Sequence, residues 1–106
     1  MSLVTIKEVL ISPEKNPDGW LYLPSDSKKW NLTTFGEFLV EDIDSDPEEI
    51  ERKRIAIKDK GLIETIDNVT IEDIVLNANT QLDSPTPTQL FAAFSFYYNN
   101  DSFIVF

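Results

Sequence analysis

The sequence predicts an α+β fold: one small domain over residues 1–106, with about four helices packed on a short, mostly antiparallel sheet. Three observations carry that expectation. Helix-start signals recur at Thr5, Asp46, Thr70 and Thr86. Apolar runs of strand character lie between and after them, at residues 20–23, 37–40, 62–66 and 102–106. The two kinds of segment mix without strict alternation, which disfavours a doubly wound parallel sheet. With 106 residues and 42% hydrophobic content, the chain can bury one core without a disulfide or a metal.

Thr5-Ile6-Lys7-Glu8 reads as a capping box, with Val4 and Val9 spaced as a hydrophobic staple, so a first helix is expected from Ile6 to Ser12, stopped by Pro13. Asn16-Pro17-Asp18-Gly19 is turn chemistry. Trp20 to Leu23 reads as a strand ended by Pro24, and Ser25 to Lys29 as a polar loop. Strand character resumes from Trp30 to Val40, most firmly over Glu37-Phe38-Leu39-Val40. Asp46-Pro47-Glu48-Glu49 starts a second helix, with Asp46 as cap, proline at the first position and carboxylates at the positive end of the dipole. The bases from Arg52 to Lys60 suit its C-terminal end, and Gly61 its left-handed stop. A short strand is expected over Leu62 to Ile66. A third helix is expected from Thr70-Ile71-Glu72-Asp73, with Ile71, Ile74, Val75, Ala78 and Leu82 on one face. Thr86-Pro87-Thr88-Gln89 is another capping box and opens a helix to about Tyr98; Ser102 to Phe106 closes the chain as a strand, expected to be interior, the alternative being an edge that another chain could extend.

Charge narrows the function. The chain has no His and no Cys, which removes the commonest metal ligand, the commonest general base at neutral pH and any thiolate chemistry. Net charge is −10, a sign that repels nucleic acid and anionic lipid and favours cationic partners. No apolar stretch approaches the ~20 residues of a membrane helix, and Lys7 and Glu8 interrupt the N-terminal stretch where a signal peptide would be apolar. A cytoplasmic protein without nucleic-acid or membrane partners is expected. Between Glu37 and Glu51 stand eight carboxylates and no base: Glu37, Glu41, Asp42, Asp44, Asp46, Glu48, Glu49 and Glu51. Arg52, Lys53, Arg54, Lys58 and Lys60 follow directly, and no base follows Lys60. Helix-dipole matching accounts for Glu48, Glu49 and the lysines. It does not account for the carboxylates at the strand end and loop.

Asp42-Ile43-Asp44-Ser45-Asp46 opens like a calcium loop, but Pro47 stands at the required glycine and Lys53 at the bidentate carboxylate. No metal and no cofactor is expected. The three glycines, Gly19, Gly36 and Gly61, are too scattered for a phosphate loop, and Ser and Thr lack a His base. The chain is therefore not read as an enzyme; a carboxylate hydrolase would need a cleft holding two facing acids. On the last helix Leu90, Phe91, Phe94, Tyr97 and Tyr98 share one broad face, and Phe96 points away from it. Phe96 is then either buried on a second side or an anchor for a partner. Trp20, Tyr22 and Trp30 pose the same choice.

Trp20-Leu21-Tyr22-Leu23-Pro24, the segment Trp30 to Thr33, Glu41-Asp42 and Tyr97-Tyr98-Asn99-Asn100-Asp101-Ser102-Phe103-Ile104 together resemble a group of small acidic bacterial domains described as a domain of unknown function. Ala56 to Leu62, with Gly61, and the helix Ile71 to Ala78 are similar as well. The likeness runs from about Ile6 to the C-terminus and rests on aromatic packing signatures. Such domains resemble the immunity proteins found beside polymorphic or contact-dependent growth-inhibition toxins. That likeness implies a protein, expected to be monomeric, that neutralises a basic toxin domain such as a nuclease. The residues expected to meet the partner are Glu37, Glu41, Asp42, Asp44 and Asp46, with Trp30 or Phe96 as a desolvated centre. The alternative is a small acidic adaptor or regulatory domain whose partner has nothing to do with toxins.

Overall fold

Aromatic and β-branched residues alternate in facing through the middle of the chain, and the sheet follows from that alternation. The computed structural model describes residues 3–40, 44 and 46–106. Its sheet has four strands, β1 (Val4–Thr5), β2 (Trp20–Pro24), β3 (Phe35–Leu39) and β4 (Leu62–Asp67), in the order β1-β3-β2-β4 with every pair antiparallel. Four α-helices accompany it: α1 (Ile6–Ile11), α2 (Pro47–Asp59), α3 (Asn68–Gln81) and α4 (Pro87–Asn100). The α+β expectation is met.

Leu21, Leu23, Phe38 and Ile66 point to one face of the sheet, where they join Ile6, Val9 and Leu10 of α1, Ile71, Ile74 and Ala78 of α3, and Leu90 and Phe94 of α4 in the larger core. Trp20, Tyr22, Leu39 and Leu62 point to the other face and meet Ile57 of α2. Leu62 and Ile66 are four residues apart, so a regular strand would put them on the same side. A bulge at Thr65 separates them: Leu21 pairs with Ile66 while Tyr22 pairs with Glu64. The Thr65 hydroxyl donates to the carbonyl of Leu21 at 2.6 Å and covers the gap in the ladder. Gly36 is required by a close approach, because a Cβ there would sit 2.6 Å from both the Tyr22 carbonyl and a methyl of Leu23.

The capping boxes at Thr5–Glu8 and Thr86–Gln89 form as read, and Asp46 accepts from the Glu48 amide at 3.0 Å. Gly61 has φ 82° and stops α2. Four expectations are corrected. Helix α3 starts at Asn68, because Thr70 spends its hydroxyl on Asp67 (2.6 Å) and forms no box with Asp73. Residues 30–34 make a turn: Asn31 and Thr34 take backbone amides that a strand would have paired. Ser102 to Phe106 is no interior strand; Val105 is 87% exposed, and the segment is strapped to α3 by the Gln81 amide. That side chain donates to the Ile104 carbonyl (2.8 Å) and accepts from the Phe106 amide (3.0 Å). Finally β1 was not anticipated; two residues suffice because Ile6 and Lys7 extend the pairing by donating to the Thr34 and Leu32 carbonyls.

A polar knot fixes α1 against α3. Asn68 is buried; its carbonyl oxygen accepts from Asn16 and its amide donates to Glu72, both at 3.0 Å, while Asn16 also donates to the Val9 carbonyl. Buried amides so satisfied fix a single arrangement of the elements around them.

Candidate functional site

The acidic stretch divides by position. Asp44, Asp46, Glu48, Glu49 and Glu51 are exposed at and beyond the N-terminal end of α2. Two of them make ion pairs within the helix, Glu49 with Lys53 (3.5 Å) and Glu51 with Arg54. Exposed pairs at this spacing stabilise a helix by only a few tenths of a kcal/mol. They also cancel locally the charge of the acids further along α2, so the most negative part of the helix is its start. Val40, four positions before Asp44, is 41% exposed. Glu41 and Asp42, also expected to take part, lie outside the described residues.

The other expected contacts fall elsewhere. Glu37 is in the middle of β3, 2% exposed, with Oε1 accepting from Lys60 Nζ at 2.8 Å. Its parity in β3 puts it on the α2 face, directly opposite Tyr22. No hydrogen bond reaches Oε2 from the described residues. Beside it, Arg54 interacts with Tyr22 as well as with Glu51, and Tyr22, ahead of Glu51, holds the Arg54 guanidinium above its ordinary pKa. Glu37 is thus an internal charge and presents no oxygen to a docking partner. Trp30 is 6% exposed; its indole N–H donates to the Pro24 carbonyl at 2.7 Å, and its rings pack against Tyr98 and Phe94 with centroids 4.8 and 6.1 Å away. Trp30 is a core residue. Phe96 is half-buried and belongs to neither core cluster. Phe35, which the sequence reading did not single out, is 57% exposed.

Other surface features offer little chemistry. No group of three or more His, Cys, Asp or Glu among the described residues could hold a metal ion. The clefts are shallow depressions: about 370 Å³ beside Asp18, Trp20 and Asp67, and about 520 Å³ between Lys7, Ile11 and Lys15. The first holds two carboxylates, one of them already engaged with Thr70 at the start of α3. No helix among the described residues is long and apolar enough to cross a membrane.

The family described as a domain of unknown function, DUF7716, matches residues 3–106, and the chain belongs to it. Neither a curated protein nor a solved structure matches the chain.

Proposed function

We propose that this member of the DUF7716 family binds a compact basic protein domain through the acidic corner at the start of α2, and that it acts as an immunity protein against a toxin domain of that charge. The observation that supports the reading is the exposure of Asp44, Asp46 and Glu48, ahead of the ion-paired acids of α2, in a protein with net charge −10. A nuclease cleft is positive because it holds phosphates, and a row of carboxylates imitates that substrate. Complementary charge of this kind raises association rates toward ~10⁸ M⁻¹s⁻¹ at low salt, and salt screens the gain. Glu37 and Trp30 act from inside, as supports of the strand and the helices behind it. Nothing in this mechanism requires a cofactor.

The test is co-expression with the product of the adjacent upstream gene, followed by association kinetics at 50 and 500 mM salt, where loss of the steering gain should cut the rate about tenfold or more. The combined variant Asp44→Lys, Glu48→Lys, Glu49→Lys should slow association at low salt while leaving the fold intact. Binding that ignores both salt and these charges would remove the acidic corner from the mechanism.

One observation favours the adaptor reading. β4 ends the sheet order and pairs only with β2 among the described residues, so its outer edge is a place for another strand. A concentration-dependent dimer in sedimentation equilibrium, with no affinity for the neighbouring gene product, would put that reading first.

A further inference from the structure

Helix α2 is attached to the domain in a different way from the other helices. Of its thirteen residues only Ile57 is fully buried; Ile50, Lys53 and Arg54 are half-buried and the rest are exposed. Eight of its side chains are charged: Glu48, Glu49, Glu51, Arg52, Lys53, Arg54, Lys58 and Asp59. The apolar stripe that normally holds a helix to a sheet is therefore reduced to a single residue. Ile57 shares a cluster of four buried residues, against fifteen in the core on the opposite face.

A polar contact supplements it. Lys60, at the C-terminal cap of α2, reaches Glu37 on β3 at 2.8 Å. The Glu37 contact works against itself. The carboxylate is almost fully desolvated, has one cation 50% exposed to water, and leaves Oε2 without a hydrogen bond from the described residues. Desolvating such a group costs free energy that one half-solvated ammonium only partly offsets. Lifting the helix rehydrates the carboxylate, so the pair holds α2 in register without holding it firmly.

We infer that α2 opens from the sheet as a unit while the other three helices stay folded, and that the Glu37–Lys60 pair is the clasp that sets its closed position. Opening uncovers Tyr22, Leu39 and Leu62 and swings the acidic start of α2 away from the sheet. The inference stands on the attachment of α2 alone and holds whether or not the acidic corner meets a toxin.

Native-state amide hydrogen exchange tests it on the full chain. The amides of Arg54 to Lys58 should exchange at least about 100-fold faster than those of Ile74 to Ala78 in α3, which should exchange only by global unfolding. Lys60→Met strands the carboxylate and should speed exchange in α2 roughly tenfold further with α3 unchanged. The double variant Glu37→Met, Lys60→Met removes the buried charge and should slow α2 exchange to or below its original rate. If α2 and α3 share one protection limit, or if Lys60→Met lowers both equally, α2 is an integral part of the cooperative fold and the inference is wrong. A double variant that exchanges faster than Lys60→Met would likewise overturn the role given to Glu37.

Discussion

The two faces of the sheet are held by different forces. One is covered by α1, α3 and α4 and carries a cluster of fifteen buried side chains, ten of them from those helices, including Phe94, Leu10 and Ile71 at or below 1% exposure. The other is covered by α2, through Ile57 and a set of charged and hydroxyl groups. Area burial is non-directional; a desolvated ion pair depends on the position and charge of each atom. The first face therefore fixes the fold, and the second sets the position of one charged helix. The same protein is rigid on one side and adjustable on the other.

The largest break in this comparison comes from truncating a residue on each side. Phe94→Ala removes a fully buried ring that packs on Trp30 and should cost about 3–5 kcal/mol, read as a lowered urea midpoint for the whole chain. Ile57→Ala removes an equally buried side chain and would by itself be expected to cost ~2–4 kcal/mol. Because α2 opens alone, that loss should register in α2 exchange, with the global midpoint falling by less than ~1 kcal/mol. Equal global losses would erase the distinction between the faces.

Helix caps sharpen it at smaller scale. Thr86→Ala removes the capping box of α4 and should lower global stability by ~1 kcal/mol. Asp46→Ala removes the cap of α2, a loss of similar size that should appear in α2 exchange and leave the denaturation midpoint where it was. The smallest effect belongs to pH. The Thr5 backbone amide, then its hydroxyl, hold Glu8 below its ordinary value of 4.5. A carboxylate depressed in the folded state stabilises above its unfolded pKa and loses that contribution as pH falls through the folded one. Stability should therefore decline slightly below pH 4.5 in the native chain, and the component from Glu8 should vanish in Glu8→Gln, measured by the urea midpoint between pH 5 and 3.

Where local chemistry decides the structure, the sequence was a sufficient guide. The boxes at Thr5 and Thr86, the Asp46-Pro47 start and the Gly61 stop each act within a few residues, and each formed. The failures are tertiary. The apolar spelling of Phe103-Ile104-Val105-Phe106 carries no record that Gln81, over twenty residues away, would bind its backbone groups. Trp30 looks the same in sequence whether it anchors a partner or packs on Tyr98. Glu37 was grouped with the acidic run by proximity, while its parity in β3 sends it under α2. The signal that could have separated it was the alternation Phe35, Glu37, Leu39: three residues on one side of a strand, with an aliphatic residue at the end that α2 covers. Its partner Lys60 lies twenty-three positions on and had been assigned, with the other bases, to the helix dipole.

The bulge at Thr65 has a consequence for how this chain tolerates change. It acts as a phase shift, one surplus residue that lets a six-residue strand feed the α2 side with Leu62 and the opposite core with Ile66. Substitution of Thr65 keeps the phase, and so does its loss, because the surplus residue has no partner on β2. Straightening the bulge with all six residues kept would instead turn Ile66 toward α2 and Asp67 toward the large core. A homologue one residue shorter at this point should therefore keep its apolar residues on the same two sides, a rule that alignments of the family can test without any measurement on the protein itself.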